Sequence, residues 1–355
     1  MKRFPRLTIT ALFAALIWAA PAAVHPAQPT EENSLAPLLA RAERVIAKAH
    51  ARPLTSARDT PWVVMHAVIA FEKEVRVLDV AAGKKVGGIE FLCRHATYEG
   101  KRIFRDAGGQ PTLPTRGLSF GLGKSFQVQD HVDQFLMTFA DADVSLDEPI
   151  LAEGGRKFTV GDMLRSSQAN VKDDQELGWT LVVATKYLKF SDRWKTAAGK
   201  TYRIEDLAAL AIRRDASRET EGGPHHLYGV AYALGEYQRR HPGKPAGTWA
   251  DARLYLERYV ALARKYQRPD GSFSAVMFRG SRQASSPRQM VWATGHTIEW
   301  LSVAQSAEQL RQGWVRRGVA ALVQMMEDHP TDAFSEGGLY HAAHALRRYR
   351  DKVGR

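Results

Sequence analysis

Cysteine is almost absent from this chain. Cys93 is the only one among 355 residues, so no internal disulfide can form and stability must come from a large buried core. The thiol follows Phe91 and Leu92, which points to burial, and no neighbouring base marks it as a nucleophile. Long apolar runs are scarce as well. Past Val24 no stretch reaches the roughly 18 consecutive apolar residues that a membrane-spanning helix requires. Basic blocks are missing too: Lys and Arg are scattered, and without a recognisable binding motif we expect no nucleic acid partner. No H-E-x-x-H motif occurs, which removes a common sequence sign of a zinc hydrolase.

What is present begins with an address. Met1-Lys-Arg-Phe-Pro-Arg6 is basic, residues 7–24 are almost wholly apolar, and Ala20-Pro-Ala22 offers the small residues of a cleavage site. We read 1–22 as a signal peptide and 23–33 as a polar leader, and expect a secreted, periplasmic or cell-envelope protein. An uncleaved anchor is the other reading of the same run. Net charge is +12, or +9 (47 basic against 38 acidic residues) without Lys2, Arg3 and Arg6. That excess suits an acidic polysaccharide or cell-envelope polymer as partner, although a solvated surface produces it equally well. We expect a monomer.

Residues 34–350 read as a single all-α domain. Residues 36–51 put Leu38, Leu39, Ala42, Val45 and Ile46 on one helical face. Asp59-Thr60-Pro61 opens a second helix, 62–71, that is apolar nearly all round and therefore buried. The pairing recurs: 158–164 before 177–188, 202–212 before 227–237, 251–266 before 297–304, and 314–326 before 341–349. A sixth buried helix, 131–140, follows an irregular insertion at 74–128 that is rich in Gly, holds Pro111 and Pro114, and opens on a β-prone run. Buried helices spaced by roughly 45 to 70 residues fit a helix-pair repeat. Echoes support the repeat. Gly155-Arg-Lys-Phe-Thr-Val-Gly-Asp-Met163 matches Gly199-Lys-Thr-Tyr-Arg-Ile-Glu-Asp-Leu207 at an offset of 44, and His131-Val-Asp-Gln-Phe-Leu136 matches His296-Thr-Ile-Glu-Trp-Leu301.

Six inner helices ringed by outer ones make an (α/α)6 toroid, and two short segments resemble members of that superfamily. Gln267-Arg-Pro-Asp-Gly-Ser-Phe273 resembles the Q-x-P-D-G-S-W turn of the squalene cyclase and prenyltransferase fold, with Phe273 in place of Trp. Gly295-His-Thr-Ile-Glu-Trp300 resembles the G-H-x-I-E-W helix start of the N-acylglucosamine 2-epimerase family, where His and Glu lie in the sugar site. These resemblances imply a toroid and a sugar-binding cavity. Terpenoid chemistry is disfavoured, because Asp141-Ala-Asp143-Val144 lacks the last acid of D-x-D-D and Cys93 sits in the insertion. The Gln267–Phe273 turn then reads as a structural corner.

Three segments carry glycine and histidine ahead of an apolar helix: Glu221-Gly-Gly-Pro-His-His226, Thr294-Gly-His296 and Glu336-Gly-Gly-Leu-Tyr-His341. Thr294 reads as an N-cap, and helix mouths favour anionic groups. A toroid would bring these mouths together. We therefore take His225, His226, His296, His341, Glu299 and Tyr228 as the catalytic set. His296 is the expected proton-transfer residue, with Glu299 one turn along to fix its tautomer. Against sugar rings we expect Trp62, Trp179, Tyr228, Trp292 and Trp300, with Tyr340 as a further substrate-binding residue. Arg279, Arg282 or Arg288 would hold a carboxylate or sulfate, and Glu176, Glu221 or Glu336 would pair with Glu299 in hydrolysis. Such a set suits epimerisation, β-elimination or hydrolysis of a carbohydrate. A non-catalytic toroid that binds an extracellular polymer or protein is the alternative. We expect no cofactor or metal, although His225, His296 and His341 would make a three-His zinc set.

Overall fold

The computed structural model describes residues 35–113 and 128–354. The signal peptide and leader expected over 1–33 lie outside the described residues, as does the 114–127 part of the insertion. The chain is mostly helical, and no helix among the described residues is long and apolar enough to cross a membrane.

Local sequence explains the first helices. In α1 (Leu35–His50) Leu38, Ala42, Val45, Ile46 and Ala49 form one buried face. α2 (Pro61–Phe71) opens with Pro61 under a Thr60 cap whose hydroxyl accepts from the Val63 N–H, and every residue in it except Trp62 is buried. The insertion then begins as a β-hairpin, Arg76–Asp79 against Lys84–Gly87. It continues into α3 (Gly88–Glu90) and one wide turn, Phe91–His95, closed by the Ala96 N–H on the Phe91 carbonyl. Its apolar residues, including Phe91, Leu92, Ile103 and Phe104, join the main core instead of forming a second one. Cys93 is free and buried, and burial pushes its thiol well above the ordinary range.

The remaining helices are α4 (Gln134–Asp141), α5 (Val160–Asn170), α6 (Gly178–Tyr187), α7 (Ile204–Ile212), α8 (Pro224–Arg240), α9 (Thr248–Tyr266), α10 (Pro287–Ala304), α11 (Ala307–Leu310), α12 (Gly313–Asp328) and α13 (Glu336–Val353). The 44-residue echo is a repeated corner. A hairpin turn at Gly155 (φ 76°) feeds α5, and one at Gly199 (φ 85°) feeds α7. In each, the Asp three residues into the helix, Asp162 or Asp206, accepts from the capping residue's own N–H. The Gln267–Phe273 turn is also a corner. Gln267 Nε2 donates to the Gly271 and Trp314 carbonyls at 2.8 Å, pinning the end of α9 to the start of α12.

Packing closes on itself. α2 packs on α4, α4 on α6, α6 on α8, α8 on α10, α10 on α13, and α13 back on α2. Against these buried helices lie α1 on α13, α5 on α4, α7 on α6, α9 on α8 and α12 on α10, while α3 and the wide turn sit against α2. One boundary differs from expectation in a way that matters. The sequence reads Thr294 as a cap, but α10 starts at Pro287 under Ser286, whose hydroxyl accepts from the Gln289 N–H. Ser-Pro is itself a helix start, so His296 stands in the third turn of α10, away from its mouth. Thr294 is mid-helix, where its hydroxyl accepts from the Phe273 N–H.

Candidate active site

The N-terminal ends of α2, α4, α8, α10 and α13 surround a cavity of about 580 Å³, within the range of sites for small molecules. Two wall residues come from one local pattern used twice. Trp62-x-x-x-His66 on α2 and Trp292-x-x-x-His296 on α10 each turn the His Nδ1 back onto the Trp carbonyl, at 2.7 Å in both. A single turn of helix thus fixes both tautomers, with the proton on Nδ1 and the lone pair on Nε2.

Five imidazoles form one chain across the floor. Ring centres run from His66 to His341 at 5.2 Å, His341 to His296 at 4.2 Å, His296 to His225 at 5.1 Å, and His225 to His131 at 4.7 Å. Close helix packing makes this possible. A side-chain carbon on Gly295 would lie 3.0 Å from the Ala342 Cα, and one on Gly229 would lie 2.0 Å from the Gly178 carbonyl oxygen. Only glycine lets α10 meet α13, and α8 meet α6, at these separations.

Glu221 enters the middle of the chain. Its carboxylate lies 3.4 Å from His296 Nε2, 3.6 Å from His225 Nε2 and 4.0 Å from His131 Nε2. It does so from a left-handed backbone, φ 57°, that a non-glycine residue seldom adopts and that tends to occur at functional positions. The buried Oε2 of Glu221, both ring nitrogens of His225 and Nε2 of His296 have no hydrogen-bond partner among the described residues. Buried polar atoms are normally satisfied, so this concentration of unpaired ones is informative.

The imidazoles fall into two electrostatic groups. Burial pulls His225 well below its ordinary range and His296 down to about 4, with the neighbouring histidines adding to the effect. Burial alone would lower His131 too. There the hydrogen bond and charge of Glu176, 2.9 Å from Nδ1, with Glu221 and Asp130 beyond, hold it up to about 9. His131 is thus cationic at neutral pH, beside the Glu221 side chain.

Glu299 has a different partner from the one its spacing suggested. It accepts from His341 Nδ1 at 2.9 and 3.0 Å and from His344 Nδ1 at 2.6 Å, both across the interface with α13. His296 Nδ1 is already engaged by Trp292, so Glu299 does not set its tautomer. Burial would raise the Glu299 carboxyl, but these histidines hold it well below the carboxylate range. Behind it, Arg348 Nε donates to His344 Nε2 at 2.7 Å and the same guanidinium pairs with Asp141.

Of the expected residues, His225, His296, His341, Trp62, Trp292, Arg288, Glu221 and Glu336 line the cavity, and Glu176 and Glu299 support it from behind. Trp179 lies beneath His225, 4.5 Å between ring centres. The others point elsewhere. His226 Nε2 bonds the Ala211 carbonyl at 3.1 Å, Trp300 packs on Phe278, and the Tyr340 hydroxyl accepts from Arg52. Tyr228 is buried below the floor between Trp179 and His344. Adjacent positions on a helix point about 100° apart, so His225 and His226 cannot serve one site. Sequence reading missed His66 and Asp130 and left His131 and Glu221 outside the catalytic set. The Trp-x-x-x-His spacing and the His131 echo were the available signals.

No family model, curated protein or solved structure matches this chain. The functional reading therefore rests on the site.

Proposed function

We propose that the six-helix cycle is the inner ring of an (α/α)6 toroid in an exported protein, and that its cavity is an acid–base active site for a carbohydrate. The observation that carries this is the meeting of Glu221 and a cationic His131 on one floor, 4.0 Å apart, below an open cavity. Glu221 serves as the base and His131 as the acid, which is a different division of labour from a single catalytic His296. Neutral, buried His296 is a weak base, whereas a carboxylate with an unpaired oxygen can take a proton. Trp62 and Trp292, half-buried in the wall, supply faces on which sugar rings stack. Arg288 at the rim suits a uronate carboxylate. In β-elimination Glu221 would take the proton beside that carboxylate while His131 protonates the departing glycosidic oxygen. In hydrolysis Glu221 would activate water, with the same acid.

The test is a screen of the exported chain against acidic and neutral polysaccharides, scoring both reducing ends and unsaturated uronate absorbance. Turnover that vanishes in Glu221→Gln supports the reading. Tight polymer binding with no turnover would make the protein a binding toroid instead.

A further inference from the structure

We propose that His225, His296 and His341 together bind one divalent transition-metal ion, zinc by the character of the ligand set, at the floor of the cavity. The three ligand atoms lie within 4.8 Å of one another, all on buried residues, and come from three different helices. Tetrahedral zinc, with bonds of about 2.0–2.1 Å to nitrogen, needs ligand atoms about 3.3 Å apart. Small side-chain rotations would close that difference.

The tautomers are those a metal requires. His296 commits Nδ1 to the Trp292 carbonyl at 2.7 Å, and His341 commits Nδ1 to Glu299 at 2.9 Å. Each therefore keeps a lone pair on Nε2. Metal-binding histidines nearly always donate their other nitrogen to a carbonyl or carboxylate in this way. His225 is buried with both nitrogens unpaired, which leaves one free to join the set. A hydrogen-bond accounting points the same way. His296 Nε2 faces the Glu221 Oε2 at 3.4 Å, one acceptor against another, both buried and neither supplied with a donor. A cation beside them resolves the repulsion. Three imidazole ligands leave the fourth position for water or a substrate oxygen, next to Glu221, which stays free to take its proton. Glu299 is a positioning residue here, acting through His341.

The inference shares a site with the acid–base reading but stands on ligand geometry alone. Its test uses the full chain purified without an immobilised-metal step. Metal content is measured by mass spectrometry, then ZnCl2 is titrated calorimetrically into the chelator-treated protein, with Co²⁺ absorption as a probe of tetrahedral coordination. We expect one ion per chain, roughly 10–100-fold weaker binding in Glu299→Gln, and loss of the Co²⁺ bands in His296→Gln and in His341→Gln. His226→Gln, which alters a histidine facing away from the cavity, should bind as the parent does. Less than stoichiometric binding by the parent, or Co²⁺ bands that survive both His variants, overturns the proposal. Metal bound without turnover on any sugar sinks the acid–base reading alone. Full turnover by the metal-free chain, with no zinc uptake, sinks the metal site alone.

Discussion

Two Trp-x-x-x-His turns face one cavity and come to different ends. On α2 and on α10 the imidazole is held identically, Nδ1 to the Trp carbonyl at 2.7 Å. The helices opposite differ. His66 Nε2 faces the Gln134 side-chain amide at 3.5 Å, an amide oriented by the Asp130 N–H on its oxygen, so it meets a donor. His296 Nε2 meets the Glu221 carboxylate, another acceptor, at 3.4 Å. Spacing along a helix decides how a histidine is held, and the neighbour across the cavity decides what it is for.

The sharpest way to break this comparison is to truncate both. His296→Ala should lower turnover by ~10–100-fold, because its imidazole stands 3.4 Å from the Glu221 base and helps to position it, with a stability loss no larger than that of the His66 variant. His66→Ala should instead lose stability by ~1–3 kcal/mol as Gln134 and the Trp62 carbonyl lose a partner, with turnover per folded molecule nearly kept. Equal effects of the two on turnover, measured beside thermal melts, would erase the distinction.

The support behind each histidine also differs, and pH exposes it. The His341 side is backed by buried Asp141, which burial would raise but Arg348 and His344 hold far below the carboxylate range. A carboxyl depressed in the folded state stabilises above its unfolded pKa of about 4 and loses that contribution as pH falls toward its folded value. Asp141→Asn should therefore cost about 1–3 kcal/mol at neutral pH, as the half-buried Arg348 loses its charged partner. Denaturant melts should show the gap to the parent narrowing below about pH 4; a gap constant with pH would contradict the pairing.

A smaller effect separates two glycines. In Gly295→Ala the new carbon meets the Ala342 backbone at 3.0 Å, whereas in Gly337→Ala it meets the edge of the Trp62 ring at 2.6 Å. Backbone cannot step aside, so Gly295→Ala should lose ~1–3 kcal/mol by overpacking and part His296 from His341. A ring can shift, so Gly337→Ala should chiefly weaken substrate binding, read as a raised KM with stability close to the parent's.

Much of the fold was legible because it is written locally. Alternating polar-faced and all-apolar helices, the Thr60-Pro61 start and the doubled Gly-x-x-aromatic corner all follow from short-range rules. The site was legible in part. Its histidines announced themselves, but their partners lie on other helices: Glu299 is three residues from His296, yet bonds His341 and His344 on α13. Glu221 was harder still. Its role depends on a left-handed turn at 221–223 that aims it inward, and residue type alone does not reveal that. The α10 start differs from the Thr294 expectation because Gly295 serves close packing against α13 and marks no helix end, while Ser286-Pro287 opens the helix.

The central claim is that Glu221 is the proton acceptor of a catalytic floor, and Glu221→Gln tests it with the least disturbance. The substitution keeps shape and removes the base. Turnover on the polysaccharide that the parent degrades should fall by ~10²–10⁴ while the protein stays folded, since the amide keeps the shape of the carboxylate. Parent-like turnover in a folded Glu221→Gln protein would contradict the account.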